Sequence, residues 1–87
     1  MGYDVIWQEK VLQDLRAIGE NDAAKIVERV KTYLVQNPSG LGKPLKGTFK
    51  GLFRYRYGAY RVIYAIDMAE KKVMILHVKH RKDAYRR

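Results

Sequence analysis

A change in hydrophobic periodicity near the middle of the chain constrains the fold more than any other feature. Between residues 9 and 36, apolar side chains recur at helical spacing, which is typical of amphipathic helices packed on one side. From residue 52 onward, apolar and polar side chains alternate, which is typical of strands with one buried face. A chain of this kind builds a helical layer first and a sheet afterwards.

The first half of the chain predicts one strand followed by two helices. β-Forming side chains predict a strand over residues 3–8, and apolar spacing predicts a helix over residues 9–18. A second helix is predicted over residues 22–36, with Asn21 or Asp22 capping its N-terminus through a side-chain oxygen. Two helices joined this closely form a helical hairpin.

The second half predicts three strands joined by short turns. Aromatic and β-branched residues predict strands over residues 52–57, 60–66 and 72–78, which pair as antiparallel hairpins. Residues 37–47 are rich in glycine and proline and are expected to be irregular. Residues from Lys79 onward are expected to form a charged tail.

The predicted fold class is α+β, in a single domain spanning residues 1–87. The element order is β-α-α-β-β-β, with the helical hairpin packed on one face of a curved, mainly antiparallel sheet. The sequence contains no cysteine, which excludes disulfide scaffolds and thiolate chemistry, and we expect a cytoplasmic protein. No apolar run approaches the roughly 18 residues that span a bilayer, so no membrane association is expected.

Positive charge is concentrated in the second half of the chain. The net charge is +9, and residues 43–87 hold thirteen basic side chains against three acidic ones. An excess of this sign attracts polyanions, namely RNA, DNA or an acidic protein partner. Charge alone is also consistent with a non-catalytic basic binding module.

Arginines recur on one face of the first predicted hairpin. Arg54 and Arg56 lie two residues apart on one strand, so they share a face, and Arg61 follows just after the turn. Guanidinium groups present planar pairs of donors that match phosphate oxygens, so the three residues are candidate phosphate ligands. The alternative is a solvated strand face without a ligand.

The tyrosines and histidines have both structural and functional interpretations. Tyr55 and Tyr57 alternate with the arginines, which suits base stacking but also describes an ordinary amphipathic strand. Tyr60 and Tyr64 are predicted to pack in the core, and His77 is predicted to be structural. His80 lies at a strand end, where an imidazole could serve in acid–base chemistry.

The sequence contains no metal-binding spacing of histidines or carboxylates and no glycine-rich nucleotide loop. An enzyme built from this chain would therefore use Arg, Lys, Tyr and His side chains. That inventory suits a reaction at a phosphodiester, with no metal and no cofactor expected.

Three segments combine basic, aromatic and glycine residues: GKPLKG at residues 42–47, RYRYGAYRVIY at residues 54–64 and VKHRKDAYR at residues 78–86. Together they resemble the RelE toxins of the RelE/ParE toxin–antitoxin superfamily. The resemblance implies a toxin of a type II pair, an endoribonuclease that cleaves mRNA in the ribosomal A site and inhibits translation. It also implies a cognate antitoxin that covers the basic surface in a hetero-oligomeric complex.

The resemblance also implies site residues. Arg61 matches the strand arginine of the family, Arg81 matches its C-terminal arginine, and Tyr85 matches the tyrosine that follows; these three are the candidate catalytic residues. Arg54 and Arg56 stand where the best-known RelE has lysines. An arginine scarcely acts as a base, so both are expected to bind the substrate phosphates.

Because Arg54 and Arg56 replace the lysines of RelE, the general base of the reaction is unassigned. Lys46, Lys50 and His80 are the candidates for it and are expected to contact the substrate. The main alternative function is that of a ParE toxin, which shares the fold but binds and poisons DNA gyrase without cleaving RNA. Arg81 and Tyr85 in the C-terminal segment favour the RelE function.

Overall fold

The computed structural model describes residues 2–80. Within this range, strands and helices follow the order β1 (Asp4–Trp7), α1 (Glu9–Ile18), α2 (Glu20–Thr32), α3 (Pro38–Leu41), β2 (Lys43–Pro44), β3 (Leu52–Tyr57), β4 (Tyr60–Asp67) and β5 (Lys72–His80). Single 3-10 turns lie at Leu34–Gln36 and Gly47–Phe49. No helix in this part of the chain is long and apolar enough to span a bilayer.

The strands form one mixed sheet in the order β1-β5-β4-β3-β2. β1 pairs with β5 in parallel, and the other neighbouring strands are antiparallel. α1 and α2 pack on one face of this sheet, so the predicted α+β class is confirmed. Among residues 2–80, no helix packs on the opposite face, which we call the open face.

The core lies between the helices and one face of β4 and β5. Its fully buried side chains come from both layers: Val11, Ile26, Val30 and Leu34 from the helical half, and Val62, Tyr64, Val73, Ile75 and Val78 from the sheet. Because side chains alternate along a strand, burying Val62 and Tyr64 directs Arg61 and Ile63 to the open face.

A β-bulge in β5 changes the alternation of side chains near its middle. Ile63 pairs with His77 while Tyr64 pairs with Ile75, so Leu76 is an extra residue without a partner of its own. Ile75 and Val78 both reach the core although they are three residues apart. The bulge therefore turns His77 to the open face.

The predicted N-cap of the second helix is wrong. α2 begins at Glu20, and its N-cap is Gly19, whose positive φ of 107° suits glycine. Asp22 lies inside the first turn, and its carboxylate accepts a hydrogen bond from the Tyr60 hydroxyl at 2.7 Å. A contact between residues 38 positions apart thus replaces the local cap.

Other boundaries also differ from the prediction, including the end of the second helix, which lies at Thr32 and not at residue 36. Residues 37–47 are not wholly irregular, because Asn37 caps α3 by accepting from the Gly40 amide and Lys43–Pro44 pairs with β3 as β2. The charged tail does not begin at Lys79. Lys79 and His80 extend β5 because they pair with Arg61 and Tyr60 of β4.

Tyr64 joins the sheet to the segment that follows the helices. Its buried hydroxyl donates to the Pro38 carbonyl at 2.6 Å, and its ring stacks on Phe53 at 5.6 Å. A methyl group on Gly42 would overlap this hydroxyl, so the segment passes directly over the tyrosine. Burial raises the pKa of Tyr64, and the hydroxyl stays a donor at physiological pH.

Replacing Tyr64 with Phe tests this connection. Loss of the buried hydrogen bond is expected to lower the free energy of unfolding by about 1–2 kcal/mol, measured by urea denaturation. Tyr33→Phe is the matched control, because Tyr33 is half exposed. Equal stability of the Tyr64 variant and the control would contradict a structural role for the Tyr64–Pro38 bond.

Candidate functional site

The strand register aligns basic side chains in two rows across the open face. In one row, Arg56 pairs with Arg61, which pairs with Lys79. In the next row, Lys43 pairs with Arg54, Arg54 with Ile63, and Ile63 with His77. We define the arginine surface as Lys43, Arg54, Arg56, Arg61 and His77.

Sheet geometry sets the spacing of the arginine surface. Neighbouring strands lie about 4.8 Å apart, and residues two apart on a strand lie about 6.8 Å apart. The Cα atoms of Arg54, Arg56 and Arg61 therefore fall within roughly 10 Å of one another. All three sequence-predicted strand arginines are thus brought together on one surface.

The direct pairing of Arg56 with Arg61 is unfavourable by itself, because like charges opposite each other on neighbouring strands repel. Within residues 2–80, the guanidinium groups of Arg54 and Arg56 have no hydrogen-bond or ion-pair partner. A shallow cavity of about 170 Å³ adjoins them, lined by Leu41, Lys43, Arg54, Tyr55 and Arg56. An anionic ligand would relieve the repulsion.

The aromatic residues that alternate with the arginines belong to the other face. Phe53, Tyr55, Tyr57 and Tyr60 pack against the core, and Tyr64 lies within it. The core positions predicted for Tyr60 and Tyr64 are confirmed. The Arg29 guanidinium lies 5.1 Å from the Tyr57 ring centroid, which ties α2 to the end of β3.

Lys46 and Lys50 precede β3 and do not belong to the row formed by Arg56 and Arg61. Both are exposed and lie in the connection between β2 and β3, before the first residue of β3. Arg56 lies four residues beyond Leu52, the first residue of β3, which is roughly 13 Å along the strand. The structure therefore separates these lysines from the row formed by Arg56 and Arg61.

His80 lies on the helix-facing side of β5. It pairs with Tyr60, and the two rings meet edge to face with centroids 5.2 Å apart. The hydrogen bond to Asp22 raises the pKa of Tyr60, with burial adding to the effect. Arg81 and Tyr85 lie outside the described residues.

The backbone of Lys79 lies in the same row as Arg61, but the Lys79 ammonium group points toward α1. The Lys79 Nζ lies 3.0 Å from the Asp14 carboxylate, which also accepts a hydrogen bond from the Val78 amide at 3.2 Å. Asp14 therefore covers the edge of β5 beyond the end of β1. It also directs the Lys79 ammonium group toward α1.

Sequence reasoning missed His77 as a member of this surface, because simple alternation does not reveal the bulge at Leu76. The only signal was the spacing of three between the apolar residues Ile75 and Val78. Burial lowers the pKa of His77, as do the charges of Lys10 and Lys79, whereas Asp14 acts in the opposite direction. The imidazole is therefore mainly neutral at pH 7.

The arrangement can bind a polyanion through several guanidinium groups beside one neutral imidazole. Arginine supplies positive charge and paired donors but does not accept protons, whereas a neutral imidazole does. Within residues 2–80, no three His, Asp or Glu side chains are grouped closely enough to hold a metal ion.

A family model described as the ParE toxin of the type II toxin–antitoxin system parDE matches residues 5–85. The toxin RelE of Mycobacterium tuberculosis is 42% identical over 84 residues, covering 97% of this chain and 87% of the relative. The toxin RelG of the same organism is 38% identical over the full length of both chains.

Solved structures of toxin–antitoxin complexes contain chains with a similar fold. In the toxin–antitoxin complex RelBE2 of M. tuberculosis, one chain superposes with a TM-score of 0.89 at 34% identity, covering 93% of this chain and 100% of that one. In the archaeal RelE–RelB complex of Pyrococcus horikoshii, the TM-score is 0.71 at 26% identity, covering 93% and 97%.

Removing one arginine from the arginine surface should weaken binding to a short single-stranded RNA. For Arg56→Ala, we expect the slope of log affinity against log salt to fall by about 0.7, the contribution of one phosphate contact. Arg16→Ala is the matched control, because it removes the same charge from the exposed side of α1. Equal losses in both variants, measured by fluorescence anisotropy, would show that only net charge matters.

Proposed function

The chain belongs to the RelE/ParE superfamily and is a RelE-type toxin of a type II toxin–antitoxin pair, and from this premise we propose that it is a ribosome-dependent endoribonuclease. It cleaves mRNA in the A site, without a metal ion, and so stops translation in the cytoplasm. The observation that carries the proposal is the pair of basic rows on the open face.

Cleavage of RNA by its own 2′-hydroxyl has three requirements. The hydroxyl must lose its proton, the negative charge on the phosphate must be neutralised, and the departing 5′-oxygen must gain a proton. The arginine surface supports the second requirement directly, because fixed guanidinium groups stabilise charge that develops in the transition state. Holding the reacting atoms in line supplies much of the remaining rate.

Each arginine has a proposed role. Arg54 and Arg56 bind the phosphates on either side of the cleaved bond, and Arg61 contacts the reacting phosphate. By resemblance to the family, Arg81 stabilises the phosphorane charge and assists the departing oxygen, while Tyr85 orients the substrate nucleotide.

An antitoxin is the proposed protein partner. The matched chains from M. tuberculosis and P. horikoshii were solved as toxin–antitoxin complexes. Because the arginine surface is positively charged, we expect a partly acidic segment of the antitoxin to cover it and to prevent access of RNA. Toxin and antitoxin then form the resting hetero-oligomer.

A ParE-type function is the second candidate, because the matching family model is described as the ParE toxin. Such a toxin would bind DNA gyrase and leave RNA intact. The basic charge of the open face does not separate the two functions, whereas catalytic turnover does.

The proposal is tested by a translation reaction with the purified protein, in which mRNA 5′ ends are mapped by primer extension. We expect cuts within A-site codons only when ribosomes are present. Cuts in free mRNA would show that cleavage does not depend on the ribosome. No cuts in either reaction, together with inhibition of gyrase supercoiling, would favour the ParE-type function instead.

Arg81→Ala is expected to reduce cleavage far more than ribosome binding. Removing one electrostatic stabiliser of the transition state typically costs about 10²–10³-fold in rate. Arg87→Ala removes the same charge from the same segment and serves as the control. Equal losses of cleavage and binding in Arg81→Ala would show that this residue only attracts the RNA.

A further inference from the structure

The bulge at Leu76 places His77 on the open face, whereas strict alternation of side chains would place it on the core face. Ile75 faces the core, and the next core residue is Val78. Without the extra residue, position 77 would point into the core beside the helices. With it, His77 pairs with Ile63 on the open face.

On that face, His77 is a near neighbour of the arginines. Arg61 pairs with Lys79, two residues from His77, so Arg61 and His77 are diagonal neighbours at roughly 7–8 Å between Cα atoms. Arg54 lies two strands away in the same row, at roughly 10 Å. A phosphodiester bound between Arg54 and Arg61 would therefore lie beside the imidazole.

The other proton acceptors considered for this reaction are placed less well. Lys46 and Lys50 lie beyond the far end of β3, and His80 faces the helices. Lys79 directs its ammonium group to Asp14. Lys43 lies on the edge strand β2, two strands away from Arg61 on β4, whereas His77 lies on the strand next to Arg61.

The charges around His77 favour its neutral form. Lys10 of α1 and Lys79 of β5 disfavour a second positive charge, and Arg54 and Arg61 share its face. Asp14 is the opposing carboxylate, and its contact with Lys79 partly cancels its effect. A neutral imidazole among guanidinium groups is able to accept a proton where its neighbours are not.

We propose that His77 is the general base of the cleavage reaction, an inference that rests on the proposed ribonuclease function. The imidazole takes the proton from the 2′-hydroxyl, and the 2′-oxygen attacks phosphorus. The bond from phosphorus to the 5′-oxygen breaks, and that oxygen takes a proton from water or from a neighbouring donor. The products are a 2′,3′-cyclic phosphate and a 5′-hydroxyl, and His77 returns its proton to solvent.

The pH dependence of single-turnover cleavage on programmed ribosomes tests the assignment. For the unmodified protein, we expect the rate to fall as the pH decreases below neutrality, because protonation of His77 removes the base. His77→Gln is expected to lower the rate by about 10²–10⁴-fold, typical for loss of a general base, and to abolish this pH dependence. Ribosome binding, measured by co-sedimentation, is expected to fall much less than the rate of cleavage.

His80→Gln is the matched control for the pH profile. Because His80 faces the helices, its replacement should leave the fall in rate at low pH in place, whatever the absolute rate becomes. His77→Ala provides a second test, since free imidazole should restore part of its cleavage if a proton acceptor is missing. Circular dichroism of each variant verifies that the fold is retained.

The outcomes distinguish the assignment of His77 as the general base from the proposed ribonuclease function on which it rests. If the unmodified protein does not cleave ribosome-bound mRNA, the proposed function fails. If it cleaves and folded His77→Gln keeps both rate and pH profile, the function stands and the His77 assignment is wrong. A folded but inactive His77→Ala that free imidazole does not restore would show a structural role and also overturn the assignment.

Discussion

The register of β3, β4 and β5 is the constraint on which the remaining structure depends. One face of these strands is buried against the helices through Val62, Tyr64 and Val78. A slip of one residue would turn this apolar set to solvent and carry the arginines into the core, which makes the register strongly specified. The arginine surface is thus held in place by the hydrophobic face behind it.

The pairing of Arg56 with Arg61 lowers the stability of the fold at a position that serves the proposed function. Arg56 and Arg61 lie directly opposite each other across the strand pair, where like charges repel. The core offsets the repulsion, and an RNA phosphate or an acidic antitoxin segment would relieve it. Sites where a chain breaks a local rule at a cost to stability are expected to be functional. The same surface would then serve both the substrate and the inhibitor.

Much of the fold follows from local patterns, and the exceptions share one cause. Periodicity predicts α1 and the starts of β3, β4 and β5, and alternation predicts that Arg54 and Arg56 share a face. Contacts between distant residues decide the rest: Asp22 binds Tyr60 instead of capping α2, and pairing with β4 extends β5 to His80. The bulge at Leu76 has the largest effect, because it decides which face each histidine occupies, and single-strand alternation does not reveal it.

The central claim is that RNA lies on the open face of the sheet. Programmed ribosomes carrying 4-thiouridine in the A-site codon test it, with crosslinked peptides identified by mass spectrometry. The account predicts crosslinks to peptides of β3, β4 and β5 that contain Arg54, Arg61 and His77. Crosslinks confined to the exposed sides of α1 and α2, such as Arg16 and Lys25, would contradict it.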